Sequence, residues 1–224
     1  MPNWCYNEVA IDFPDKTTAA EFMALVETDD DDQRRPLVDA FLPMPSVLDG
    51  TRSPFPSVEF DSDGRIMEFV NDPNNTHWTP ERYEEARLEH LALQEKGNAA
   101  FAATGFTNWY DWANKNWGTK WGDCQTQVSA LLDTHIDITF ATAWGPLAAS
   151  FWMGVSRRFP TAQIRVVYKE SGMGFQGAEA YYGGISVYCD EGDYKDFAWA
   201  AESALEEHVY ELSKSTRTHC DLNG

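Results

Sequence analysis

Positive charge is what this sequence has least of. Its 224 residues carry 17 Lys and Arg against 36 Asp and Glu, a formal net charge of −19. A small domain stays soluble with a net charge of magnitude about 2–8, so solubility does not account for the imbalance. Binding duplex DNA through a basic face, or docking on an anionic membrane, needs clustered Lys and Arg that the chain lacks. Long hydrophobic runs are missing too: none approaches the ~20 apolar residues of a membrane span. Cysteine is sparse. Cys5, Cys124, Cys189 and Cys220 make no CxxC, which suits reduced, buried thiols rather than a disulfide framework. The start, Met1-Pro2-Asn3-Trp4-Cys5, lacks the basic and apolar regions of a signal peptide, so a cytoplasmic location is expected.

Catalytic signatures are equally scarce. GxxxxGK[ST], GxSxG and HExxH do not occur, and the five histidines are scattered. A structural zinc wants four ligands at tighter spacing. The run Asp29-Asp30-Asp31-Asp32 lacks the alternating ligands, glycine and distal Glu of a calcium loop. Gly172 to Gly177 formally matches GxGxxG, but a dinucleotide site opens a helix there, and Ala178 to Tyr182 reads as strand. Those glycines suit a bend or bulge. With 36 acids no carboxylate pair stands out. Neither Cys5 nor Cys124 sits in a nucleophile signature. No catalytic residue, metal or cofactor is therefore assigned, and an enzyme is the weakest reading.

What is present is a folding chain, 43% hydrophobic and 14% aromatic. Val9, Ile11 and Phe13 alternate with polar residues, predicting a strand over 4–13. Ala19, Phe22, Met23 and Val26 form one helical stripe behind an N-cap at Asp15 or Thr18. Strands are expected at 37–42, 135–141 and 163–168. A hairpin is expected around Gly183-Gly184, and a helix from about Asp193 carries Leu205 and His208 on its stripe. Thr79-Pro80-Glu81 starts a helix expected to reach about Lys96, with Gly97 beyond its end. Val9, Ile11, Trp109, Trp112, Ile136, Ile138, Phe140 and Phe151 are the expected core. The pattern predicts an α+β fold: a ferredoxin-like split βαβ antiparallel sheet with helices on one face. Residues 1–45 and 106–213 form its core, 46–105 a helical and irregular insertion after the second strand, and 214–224 a loose tail.

Several stretches carry a resemblance. Met1-Pro-Asn-Trp-Cys-Tyr-Asn7, Asn116-Trp-Gly-Thr-Lys-Trp121, Phe140-Ala-Thr-Ala-Trp-Gly-Pro146 and Tyr168 to Gly177 together resemble the phage- and plasmid-borne YubB-type family. That resemblance implies ferredoxin-like domains and a cytoplasmic accessory protein of a mobile element in a bacterial host, of unestablished activity. It implies no iron–sulfur cluster.

Two candidate sites follow. Six of the nine tryptophans lie between Trp109 and Trp152. Trp117, Lys120, Trp121 and Trp144 combine indoles with a cation near turns, as a platform for stacking a nucleotide-type ligand does; the alternative for them is core. Trp144 precedes Gly145-Pro146, an expected helix N-terminus. The second candidate is an acidic surface for a basic host protein or nucleic-acid-processing enzyme. Its residues are Glu81, Glu84, Glu85 and Glu89 on one helix and Glu202, Glu206 and Glu207 on another. The expected function is binding a host macromolecule, as a defence inhibitor or nucleic-acid mimic. The alternative is binding a small nucleotide-type ligand.

Overall fold

A computed structural model describes residues 2–27, 36–56, 59–75, 77–192 and 197–221. The acidic run at 29–32 and the expected helix start at Asp193 lie outside them. The chain divides into two compact units, one of residues 1–43 and 115–224, the other of residues 44–114.

The first unit is built on a six-stranded sheet. Its strands are β1 (Trp4–Asp12), β2 (Cys124–Leu132), β3 (His135–Ala143), β4 (Gln163–Glu170), β5 (Phe175–Tyr182) and β6 (Ile185–Gly192). The order is β2-β3-β1-β4-β5-β6 and all neighbours are antiparallel. The helices of this unit include α1 (Lys16–Val26), α2 (Leu37–Phe41), α6 (Ala149–Arg158) and α7 (Phe197–Asp221). The path β1-α1-β2-β3-α6-β4 with spatial order 2-3-1-4 is the ferredoxin-like split βαβ. β5, β6 and α7 are added at the β4 edge.

Alternation in β1 decides the core. Cys5, Asn7, Val9 and Ile11 point to one face and are buried, while Trp4, Tyr6 and Glu8 are exposed. Register places Ile138 and Val166 beside Val9, and Ile136 and Ile164 beside Ile11. This covered face receives α1 and α6. Phe22 packs on Phe13 and Phe159, and Trp152 on Phe140, with centroids 5.5, 5.5 and 6.4 Å apart. Burying an aromatic of this size stabilises by about 3 kcal/mol. Helices on one face describe this βαββαβ core, but α7 covers the other face along β4–β6. Ala178 and Ala180 are small enough for Ala201 and Leu205 to reach the sheet there, with Val167 and Tyr188 alongside. The open face is what remains: the outward side of β2, β3 and β1.

Some expectations change. The strand expected at 37–42 is instead the helix α2, with Leu42 as its C-cap. Asp123, 86 residues further on, accepts hydrogen bonds from the backbone N–H of Leu37 (2.8 Å) and Val38 (2.9 Å). A buried carboxylate holding two N–H groups at a helix start outweighs the β-like appearance of Leu-Val-Asp-Ala-Phe-Leu. The strand after α1 is instead β2, which the sequence reading did not identify. The last helix runs to Asp221, past the tail expected from 214. Gly183 and Gly184 both have positive φ and join β5 to β6, as a two-residue hairpin turn requires.

The second unit contains α3 (Met67–Val70), α4 (Pro80–Thr104) and most of α5 (Trp109–Asn116). Thr79 caps α4 through the N–H of Arg82. The helix passes through Gly97, expected beyond its end. A Cβ there would lie 2.4 Å from the Phe55 ring, so Gly97 gives close approach rather than a stop. Gly105 ends the helix in the left-handed conformation at φ 79°. Trp112 is buried and Trp109 half-buried; the other expected core residues are buried.

Candidate functional site

The tryptophan candidates separate into core and surface. Trp117 is 6% exposed and its indole N–H donates to the Leu42 carbonyl at 2.9 Å. It is a structural residue and not part of a platform. Trp121 and Trp144 are 42% and 46% exposed, and their rings stack with centroids 5.9 Å apart at 28°. The sequence reading missed a third indole, Trp4. It is 37% exposed, 6.3 Å from Trp121, and pairs with Ala143 at the end of β3. Its signal was the outward alternation of β1. Lys120 Nζ lies 4.6 Å from the Trp121 centroid, a cation–π contact.

Local structure holds this cluster in place. The Thr119 hydroxyl donates to the Ala143 carbonyl (3.0 Å) and accepts from the Ala143 N–H (3.1 Å). The 119–121 loop is thereby pinned to the end of β3. Gly118 takes φ 80°, and a Cβ there would meet the backbone N of Ala148 at 2.8 Å. The Trp144 N–H donates to the Asn3 carbonyl at 2.8 Å, and Trp144 has φ 68°. A bulky side chain at positive φ is costly, by about 1–3 kcal/mol, and such strain clusters at functional sites. The helix expected at Gly145-Pro146 begins later: α6 starts at Ala149 behind Ala148. Trp144 therefore does not adjoin helical N–H groups.

Beyond the tryptophans the open face turns polar. Tyr6 is 60% exposed. Past it lies a groove of about 600 Å³ lined by Glu8, Ala10, His135, Asp137, Arg165 and Glu202 among others. A chain of charged contacts crosses it. His135 Nδ1 is 2.6 Å from Asp12 Oδ1, and its Nε2 is 3.1 Å from Asp137 Oδ1. Arg165 donates to Asp12 at 2.9 Å and to Glu202 at 2.7 Å. The hydrogen bond to Asp12, reinforced by the charges of Asp12 and Asp137, raises the His135 pKa above its ordinary 6.5. Strand alternation puts Glu8 with Asp12 and His135 with Asp137 on common faces, but sequence reading assigns none of them to a site, because only register brings β1 and β3 together.

The acidic candidates fall in two places. On α4, Glu84 accepts hydrogen bonds from Arg87 Nε and Nη2 at 2.7 and 2.8 Å, Glu85 pairs with Arg82 at 2.8 Å, and Glu89 lies 3.9 Å from Arg82. Glu81 is in the first turn, held below the usual carboxylate range by its own backbone N–H and Thr79. On α7, Glu202 is tied to Arg165, and Glu206 and Glu207 are exposed.

Other motifs have structural roles. The Gly172–Gly177 stretch covers the end of the β4–β5 connection and the start of β5, where Gly177 pairs with Tyr168. Glu170, 1% exposed, accepts the N–H groups of Gly172 and Met173, and Gly174 takes φ 79°. Burial pushes the Cys5 thiol up to about 12, away from the thiolate a nucleophile needs. Burial and Asp123 also raise Cys124. Among the described residues, no group of three or more His, Cys, Asp or Glu is placed to hold a metal ion, and no helix is long and apolar enough to cross a membrane.

No family model and no curated protein matches the chain. One solved structure is similar: protein api92 from Yersinia pseudotuberculosis, family model DUF1281. It shares 15% identity at a TM-score of 0.48, over 87% of this chain and 99% of that one.

Proposed function

We propose that the chain is a non-catalytic accessory protein of a phage or plasmid that binds a host macromolecule in the bacterial cytoplasm, with Trp4, Trp121 and Trp144 as the contact. The observation that carries this reading is the exposed indole cluster. Three large aromatics together on a surface, one of them on a strained backbone, lose burial that a core position would supply. Exposed tryptophans are the residues that most often dominate binding interfaces. The charge of −19 favours a partner with a basic groove, the class that includes defence and nucleic-acid-processing enzymes, by steering association. Immobilised wild type and a Trp121→Ala/Trp144→Ala variant, exposed to host lysate at low and high salt, test the reading. The wild type should retain a partner that the variant loses. Equal retention by both overturns the tryptophan contact.

A nucleotide-type ligand is the second reading, favoured by Lys120 beside stacked indoles. Trp121 and Trp144 already touch, so a base would have to stack on an outer ring face. Indole fluorescence unmoved by a nucleotide panel rejects it.

A further inference from the structure

Resting on the macromolecular reading above, we infer that the open face takes one extended segment of the partner, basic at one end and apolar at the other. β1 supplies the track. Its outward residues run Trp4, Tyr6, Glu8, Ala10, Asp12, about 26 Å at ~3.3 Å per residue, the reach of eight or nine extended residues. The two ends of the track differ in chemistry. At the first end Trp4, Trp121, Trp144 and Tyr6 expose aromatic surface. At the other the groove gathers the carboxylates of Glu8, Asp137 and Glu202, with Asp12 beside it, against His135 and Arg165, a surplus of negative charge even with His135 protonated.

Charge complementarity selects the occupant. Phosphates of a single strand stacked on the indoles would run onto Glu8 and Asp137, where like charges repel. Lys120 and Lys169, which pairs with Tyr6 in register, stand at the aromatic end. They disfavour a segment that is cationic throughout. Basic side chains therefore belong in the groove and apolar ones on the tryptophans. Ala10 leaves the groove floor low between Glu8 and Asp12, giving long Lys or Arg side chains room to enter.

The test uses the whole protein and four probes read by intrinsic tryptophan fluorescence at low salt: tetra-arginine, tetra-arginine carrying Leu-Leu-Phe at its N-terminus, the same at its C-terminus, and octathymidylate. One of the two extended peptides should bind about tenfold more tightly than tetra-arginine alone, with octathymidylate the weakest. Glu8→Gln/Asp137→Asn should weaken that peptide about tenfold, while Glu21→Gln/Glu27→Gln, which removes equal charge from exposed positions of α1 and its C-cap on the covered side, should leave it unchanged. The inference is overturned if neither extended peptide exceeds tetra-arginine, if both charge variants weaken binding equally, or if octathymidylate binds best. Retention of a host partner through Trp121 and Trp144 alongside any of these results overturns the segment alone. Loss of that retention as well overturns the binding reading itself.

Discussion

The two faces of the sheet are made from the same strands and do opposite things. On the covered face, the middle and far end of β1, β3 and β4 present Val, Ile and Phe, closed over by α1 and α6, and the near end adds buried Cys5, Asn7, Thr142 and Glu170. On the open face, the intervening residues of β1 are aromatics at one end and charged groups at the other, and α7 reaches them only at the groove's edge, where Glu202 meets Arg165. The period-2 alternation of a strand makes this division possible: one segment can satisfy packing and present a surface without compromise between them. A mutation in β1 should therefore cost stability or binding according to the parity of its position.

The largest effect belongs to the covered side. Trp152→Ala, at 1% exposure, should lower the unfolding free energy by about 3–5 kcal/mol in urea titration. Next comes the α2 cap. Asp123→Ala strands the N–H groups of Leu37 and Val38 and the Thr126 hydroxyl, which should cost about 2–3 kcal/mol. A smaller loss on the same readout would mean that water replaces the carboxylate.

On the open side, effects should shrink and become conditional. The pKa of His135 is raised in the fold, so its contribution is fully present below 6.5, its ordinary value, and is lost as pH rises through the raised value. Stability should therefore decline upward from about pH 6.5, and His135→Gln should flatten that slope; an unchanged slope would place the titration elsewhere. The smallest effect should be Trp144→Gly. Relief of φ 68° offsets lost packing, so stability should move by less than about 1 kcal/mol. A large loss would make Trp144 a core residue.

The sequence made one face far more legible than the other. Alternating Val, Ile and Phe announced β1, β3 and β4, and Gly183-Gly184 announced the hairpin, because these signals are local. β2 is an edge strand of mixed residues, Cys-Gln-Thr-Gln-Val-Ser, without a bounded apolar period. α2 resembles a strand until Asp123 arrives from 86 residues away. The candidate site was half visible for the same reason. The sequence groups Lys120, Trp121 and Trp144 with Trp117, and nothing local separates them: Trp117 is buried with its indole bonded to Leu42, while Trp121 and Trp144 are exposed. Trp4 joins them only once β1 pairs with β3. The groove is a product of register: Asp12, the His135–Asp137 pair and Arg165 come from three strands, and nothing in the spacing between those strands along the chain brings them together.

The rule of two faces meets its most direct test in the unfolding free energy of Trp121→Ala beside that of Trp152→Ala, measured in urea on otherwise identical protein. Both remove an indole. The account predicts a loss under about 1.5 kcal/mol for Trp121 against about 3–5 for Trp152. Equal losses would mean that the tryptophan cluster is core and that the open face is not a binding surface.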